Sequence, residues 1–120
     1  MSKAGVCPVC NKHGPLTVDH IIPRLFGGAG YGTRLICADC NIRRGHRIGL
    51  KEWAIMNSEQ RSLFWGWLKG VLNTRLNNTG YRFARPEAAS RDVELLNRLC
   101  SEDFDTLLPY IEAANIPGFK

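Results

Sequence analysis

Two pairs of cysteines constrain this chain more than any other feature. Cys7 and Cys10 flank Pro8-Val9, and Cys37 and Cys40 flank Ala38-Asp39. Each two-residue spacer lets a tight turn aim both sulfurs at one point. Thiolates are soft ligands that suit tetrahedral Zn²⁺, so the four side chains form a closed, structural metal site. The 26 residues between the pairs exceed the spacer of common zinc ribbons and leave room for an inserted hairpin. His13 precedes a Gly-Pro turn and reads as a loop histidine, because four sulfurs already complete the tetrahedron. Cys100, in an apolar helical stretch, reads as a small core residue.

At 120 residues and 44% apolar content, the chain can bury one core but not two independent ones. Met1 to Val6 lacks an apolar leader, and Cys-x-x-Cys pairs favour metal over disulfides, so a soluble protein of a reducing, intracellular setting is expected. No apolar run reaches the roughly 20 residues that a membrane span needs. The charge is uneven: residues 1 to 51 carry eight Lys/Arg against two Asp, whereas residues 52 to 120 carry eight Lys/Arg against nine Asp/Glu. A basic excess beside the cysteines points to a polyanionic partner, since each neutralised phosphate releases counterions.

Residues 1 to 15 read as a zinc knuckle with turns at Pro8, Gly14 and Pro15, Leu16 to Ile22 as a short strand, and Leu35-Ile36 as its return. Between them, Pro23 to Thr33 holds four glycines and reads as a flexible loop. A short helix from Ala38 to about Arg44, closed by Gly45, completes a ββα unit too small to bury much apolar surface, so metal must supply folding free energy. The rest reads as helices over Leu50 to Met56, Ser58 to Leu76, Pro86 to Leu99 and Glu102 to Ala114, with starts at Ser58, Pro86 and Ser101 and a break or kink at Pro109. Leu63, Phe64, Trp67, Leu68, Val71 and Leu72 make one wide apolar face that reads as core, part of it, Trp65 at its edge above all, being the alternative candidate for a homodimer surface. The expected fold class is α+β: a zinc-bound ββα-metal finger over residues 1–49 and a helical extension over 50–120, packed as one compact domain.

Phosphodiester hydrolysis needs a base for water, a divalent cation for the phosphate and leaving oxygen, and hard oxygen ligands for that cation. Asp19, His20 and Asn41, enclosed by the cysteine pairs or directly following them, supply these groups. Asp19 and His20 face opposite sides of a strand, so both can serve one phosphate only if the strand ends, twists or bulges there, and Ile21-Ile22-Pro23 is expected to leave the ladder. Arg44, three residues after Asn41, shares its helical face and is the expected phosphate contact, whereas His46 is turned away and reads as a surface or nucleic-acid-side residue. Arg24, Arg34, Arg43, Arg47 and Lys51 would track the nucleic-acid backbone. Tyr81, Arg82, Phe83 and Arg85 mix aromatic and basic character, as bases or a packed loop would require.

Through its Cys-x-x-Cys, Val-Asp-His-Ile-Ile-Pro and Cys-x-x-Cys-Asn order, the chain resembles the HNH, or His-Me finger, endonucleases over about residues 5 to 47, and is similar to the phage recombination endonucleases among them. The resemblance implies His20 as general base, Asp19 and Asn41 as ligands of one catalytic Mg²⁺ or Mn²⁺, and Zn²⁺ on Cys7, Cys10, Cys37 and Cys40. It further implies a DNA endonuclease leaving 5′-phosphate and 3′-hydroxyl ends, in a prokaryotic or phage-infected cell. One departure stands out: where many relatives carry an asparagine before the second cysteine pair, this chain has Gly32, Thr33 and Arg34. Thr33 or a backbone carbonyl would then orient the imidazole. The rival reading is a noncatalytic zinc module that binds DNA or protein, a decayed nuclease acting as an inhibitor.

Overall fold

The computed structural model describes residues 3–30, 32–99, 103–117 and 119; Cys100 and Ser101 lie outside them. Strands β1 (Lys3–Val6), β2 (His13–His20) and β3 (Thr33–Cys37) form an antiparallel sheet in the order β1-β2-β3. Helices α1 (Ala38–Arg44), α2 (Leu50–Ile55), α3 (Ser58–Leu76), α4 (Thr79–Ala84), α5 (Pro86–Arg98) and α6 (Phe104–Ala113) follow. The protein is therefore α+β, a small sheet and first helix followed by a helical remainder. No described helix is long and apolar enough to cross a membrane.

The sheet is built around its middle strand. β1 pairs Lys3 with Leu16 and Val6 with His13, which adds a strand where a knuckle of turns alone was expected. Between them the chain reverses tightly: the Asn11 amide donates to the Cys7 carbonyl at 2.8 Å, and Asn11 takes a φ of 63°. Asparagine tolerates this left-handed conformation better than most residues. On its other edge β2 pairs with β3 from Leu16–Cys37 to His20–Thr33. α1 starts where β3 ends, because Cys37 is its N-cap and the Cys37 Sγ accepts from the Cys40 amide at 3.4 Å. Gly45, with φ 55° and ψ −128°, closes α1.

Two apolar clusters hold the molecule. The smaller lies within the finger and consists of Cys7, Leu16, Ile36 and Cys40, with Leu35 and the other two cysteines against it. Aliphatic burial there is limited to a few side chains, so the sulfurs serve as its centre. The larger cluster joins Ile22, Phe26 and Ile48 to Trp53, Phe64, Leu68, Leu72, Leu95, Phe104, Leu107 and Ile111 of the helices. Trp53 stacks on Phe104 with ring centroids 4.2 Å apart, and Phe26 meets Phe64 edge-on at 5.2 Å. Edge-on and offset arrangements suit the ring quadrupoles and add to the burial of large apolar area.

Phe26 corrects the reading of Pro23 to Thr33 as a flexible loop. Residues Arg24–Phe26 form one 3₁₀ turn, and Phe26 is fully buried against α3. Gly28 is held so close to the preceding chain that an added Cβ would lie 1.7 Å from the Ile22 carbonyl oxygen. The Gln60 side chain donates to the Gly27 carbonyl at 3.1 Å, tying the same turn to the start of α3. The glycines at 27 and 28 thus allow close packing there.

α3 has the expected limits, and its capping box is formed by Asn57 and Gln60. Phe64, Leu68 and Leu72 are buried from it, while Leu63 remains exposed. Trp65 packs against Trp53 and Phe104 at 5.4 and 6.1 Å, so its ring contributes to the interior contacts. α4 occupies the segment left open between a packed loop and a nucleic-acid contact; Tyr81 turns inward, and Phe83 is 82% exposed. α6 runs through Pro109 without ending there.

Candidate functional site

The four cysteine sulfurs lie within 4.8 Å of one another and form no disulfide. Among the described residues they are the one cluster of three or more His, Cys, Asp or Glu side chains placed to hold a metal ion. The Cys10 and Cys37 sulfurs are 3.7 Å apart, close to the roughly 3.8 Å edge that a tetrahedron with Zn–S bonds of about 2.3 Å would have. The backbone amide of Cys37 donates to the Cys7 sulfur at 3.4 Å; this bond, ahead of the opposing effect of burial, lowers the Cys7 thiol from 9.0 to about 6. Arg43 donates to the Cys40 sulfur and pulls its proton affinity down. Hydrogen bonding with Cys37, burial and the neighbouring sulfurs more than offset that pull, raising Cys40 to about 11. Four sulfurs at this spacing are placed to hold a cation, which on binding would displace the thiol protons.

Beyond the clamp, α1 lies against β2. Thr17 Oγ1 donates to the Ile36 carbonyl at 2.9 Å, so with its proton spent it accepts from Asn41 Nδ2 at 3.0 Å. Asn41 Nδ2 also donates to the Val18 carbonyl at 3.1 Å. The amide is thereby oriented with its nitrogen on the strand, leaving Oδ1 without a hydrogen bond among the described residues. Thr17 was not singled out from sequence. Its signal is the two-residue spacing to Asp19, which puts both on one face of β2.

Asp19 is buried, and two guanidinium groups neutralise it. Arg44 Nη1 donates to both carboxylate oxygens at 2.9 Å, and Arg34 Nε donates to Oδ2 at 2.9 Å. Arg44 also donates to the carbonyls of His20 and Ile21, and its side chain is only 12% exposed. Expected as a phosphate contact, Arg44 is turned inward and pins the end of β2. Arg34 sits directly across the ladder from Asp19, a pairing that follows from the register.

β2 ends at His20, and after it only the Ile21 amide donates back across, to the Gly32 carbonyl at 3.1 Å. Asp19 and His20 are both still paired in the ladder, opposite Arg34 and Thr33, so the pleat turns them to opposite faces and the strand ends only after them. Half-buried His20 pairs with Thr33, which therefore stands opposite the histidine in the segment where relatives carry asparagine. No described residue hydrogen-bonds the His20 ring.

Of the other basic residues, Arg24 and Lys51 are exposed and unpaired among the described residues. Arg43 is held at the Cys40 sulfur, and Arg47 is paired with Glu112 at 2.9 Å. His46, read as a surface or nucleic-acid-side residue, is half-buried, its ring edge-on to Phe26 and Trp67 at 6.2 and 5.9 Å. His13 is exposed at the start of β2.

A sheet and helix joined by a four-sulfur clamp, with Asp, His and Asn where the strand end meets the helix, define a metal-clamped ββα finger. Residues 7–51 match the family model described as HNH endonuclease, so over this segment, less than half of the chain, the protein is similar to that family. Comparison with curated proteins and with solved structures gave no match.

Proposed function

We propose that the protein is a metal-dependent DNA endonuclease whose chemistry is centred on His20. Supporting this reading is one observation above the rest: within the HNH segment, β2 ends at His20, and Asn41 and Arg44 of α1 both bond the last residues of that strand. Neutral His20 takes a proton from water, and the resulting hydroxide attacks phosphorus in line. The bond to the 3′ oxygen breaks, leaving 5′-phosphate and 3′-hydroxyl ends. Arg44 acts as a positioning residue, holding the successive carbonyls of His20 and Ile21, and Thr33 is the neighbour best placed to limit the imidazole's movement. Arg24 and Lys51 are free to meet the DNA backbone, joined by the outer edges of Arg34, Arg43 and Arg47.

Zn²⁺ on the cysteines is the structural ion. Asp19 and Asn41 Oδ1 are hard oxygen donors that fit Mg²⁺ or Mn²⁺ in kind. An ion there must share or displace the arginines that occupy both Asp19 oxygens. When bound, it would supply Lewis-acid neutralisation of the phosphate and leaving oxygen. That same occupation of Asp19 favours a second reading, a noncatalytic zinc module that binds DNA. Plasmid incubated with Mg²⁺ or Mn²⁺, beside an EDTA control and with end mapping, separates the two. The nuclease cuts only with the ion and leaves 5′-phosphate; the binding module retards the plasmid and leaves it intact.

A further inference from the structure

On the helical side of the molecule lies a cavity of about 540 Å³ unrelated to the cysteines, walled by α3 to α6. At its floor Asp92 is buried and accepts from the Tyr81 hydroxyl at 2.7 Å, with Arg75 Nε 3.6 Å away. The Arg75 guanidinium lies 4.9 Å over the Tyr81 ring and donates through Nη2 to the Ala114 carbonyl. Its Nη1 is buried and has no hydrogen-bond partner among the described residues. Leaving a charged donor unsatisfied is costly, and a ligand oxygen would relieve that cost. Above the floor stand Arg85, Arg91 and Arg98, exposed and making no ion pair or side-chain hydrogen bond among the described residues.

Four arginines against Asp92 and Glu94 leave the lining with two positive charges in excess. That excess matches a phosphomonoester, which carries about −1.5 to −2 at neutral pH, better than a diester backbone with one charge per phosphate. Guanidinium forks suit phosphate oxygens by geometry as well as by charge. Leu95 and Leu107 supply apolar wall, and Tyr110, 60% exposed, adds a flat face. The volume falls within the roughly 300–1,000 Å³ usual for small-ligand sites.

We propose that this cavity binds a nucleoside monophosphate, either free or as the 5′-phosphorylated end of a strand, with the phosphate on the arginines and the base against the tyrosine and leucine side chains. The phosphate rests on the arginines alone; choosing a nucleoside as its carrier rests on the nuclease reading.

The test is calorimetric titration of the full chain, without divalent ions beyond its bound zinc, with dTMP, thymidine, and a short strand bearing either a 5′-phosphate or a 5′-hydroxyl. Expected is saturable binding of dTMP, or binding of the phosphorylated strand beyond what the 5′-hydroxyl strand shows through the finger, no binding of thymidine, and a loss of that binding by about tenfold or more in the Arg91→Glu/Arg98→Glu protein. Binding of dTMP identifies a free-nucleotide site, and binding of the phosphorylated strand alone identifies a strand-end site. The proposal is overturned if thymidine binds as well as dTMP, if dTMP does not bind and the two strands bind equally, if no probe binds, or if charge reversal changes nothing. Since titration does not depend on cleavage, a protein that binds dTMP yet never cuts plasmid would refute the nuclease reading and leave this one standing.

Discussion

The finger and the helical body are stabilised by different means. In the finger, the buried cluster is Cys7, Leu16, Ile36 and Cys40, two of whose four members belong to the sulfur group placed to hold a metal ion. In the body, stacked and edge-on rings of Trp53, Phe64 and Phe104 bury large apolar areas without any ion. A cluster as small as the finger's cannot offset the ordering of its chain by apolar burial alone. The finger should therefore be conditional on metal, and the body should not be. Where they meet, Ile22, Phe26 and Ile48 belong to the body's core although they lie within the residues that match the HNH family model, so the chain just after His20 is anchored in the helical half.

Removing the metal should break this comparison open most strongly, because structural zinc contributes about 10–16 kcal/mol of apparent free energy in small fingers. After chelation, hydrogen exchange should show loss of amide protection over β1 to α1 with protection kept in α3 and α5. Equal loss across both regions would mean that the body has no independent stability. Next in size is Phe26→Ala, which removes a fully buried ring from the shared core and should cost about 3–5 kcal/mol in a denaturant melt. Val18→Ala, at a side chain 54% exposed, should remain within about 0.5 kcal/mol.

A smaller effect is carried by pH. Cys7, lowered to about 6, contributes stability that is present above the ordinary thiol value of 9.0 and fades as pH falls through about 6. Cys40, raised to about 11, must give up a proton before it can ligate, so metal uptake near pH 7 releases protons and metal affinity falls on acidification. Zinc competition with a chromophoric chelator across pH 6 to 8 should show weakening toward the acid end. Affinity independent of pH would contradict the thiolate clamp.

How much of this was legible in the sequence depended on how local each signal was. α1 and α3 could be read from local marks, Gly45 closing the first and Ser58 opening the second, although the caps themselves are Cys37 and Asn57, one residue earlier than each helix. β1 could not, since Lys-Ala-Gly-Val carries no alternation and becomes a strand only by pairing with β2. Phe26 was hidden among glycines whose close approach to Ile22 becomes visible only in three dimensions. α4 buries no residue of its own and so has no periodic face to detect. At the site, the grouping of four cysteines was fully spelled out by spacing. The arginine pairing of Asp19 was not, because Arg34 reaches it across the ladder and Arg44 from a helix 25 residues on. Inverting the polarity of that lesson, the unfilled donor of Arg75 follows from burial, which composition cannot report.

The central claim, that an imidazole at the end of β2 does the chemistry while the sulfur clamp only holds it, is tested most directly by plasmid cleavage with His20→Ala in parallel with zinc content and a thermal melt. The account predicts one zinc per chain and an unchanged melt for both proteins, with the cleavage rate of the variant reduced by about 10²- to 10⁴-fold. Cleavage by His20→Ala at the parent rate, with zinc retained, would contradict it.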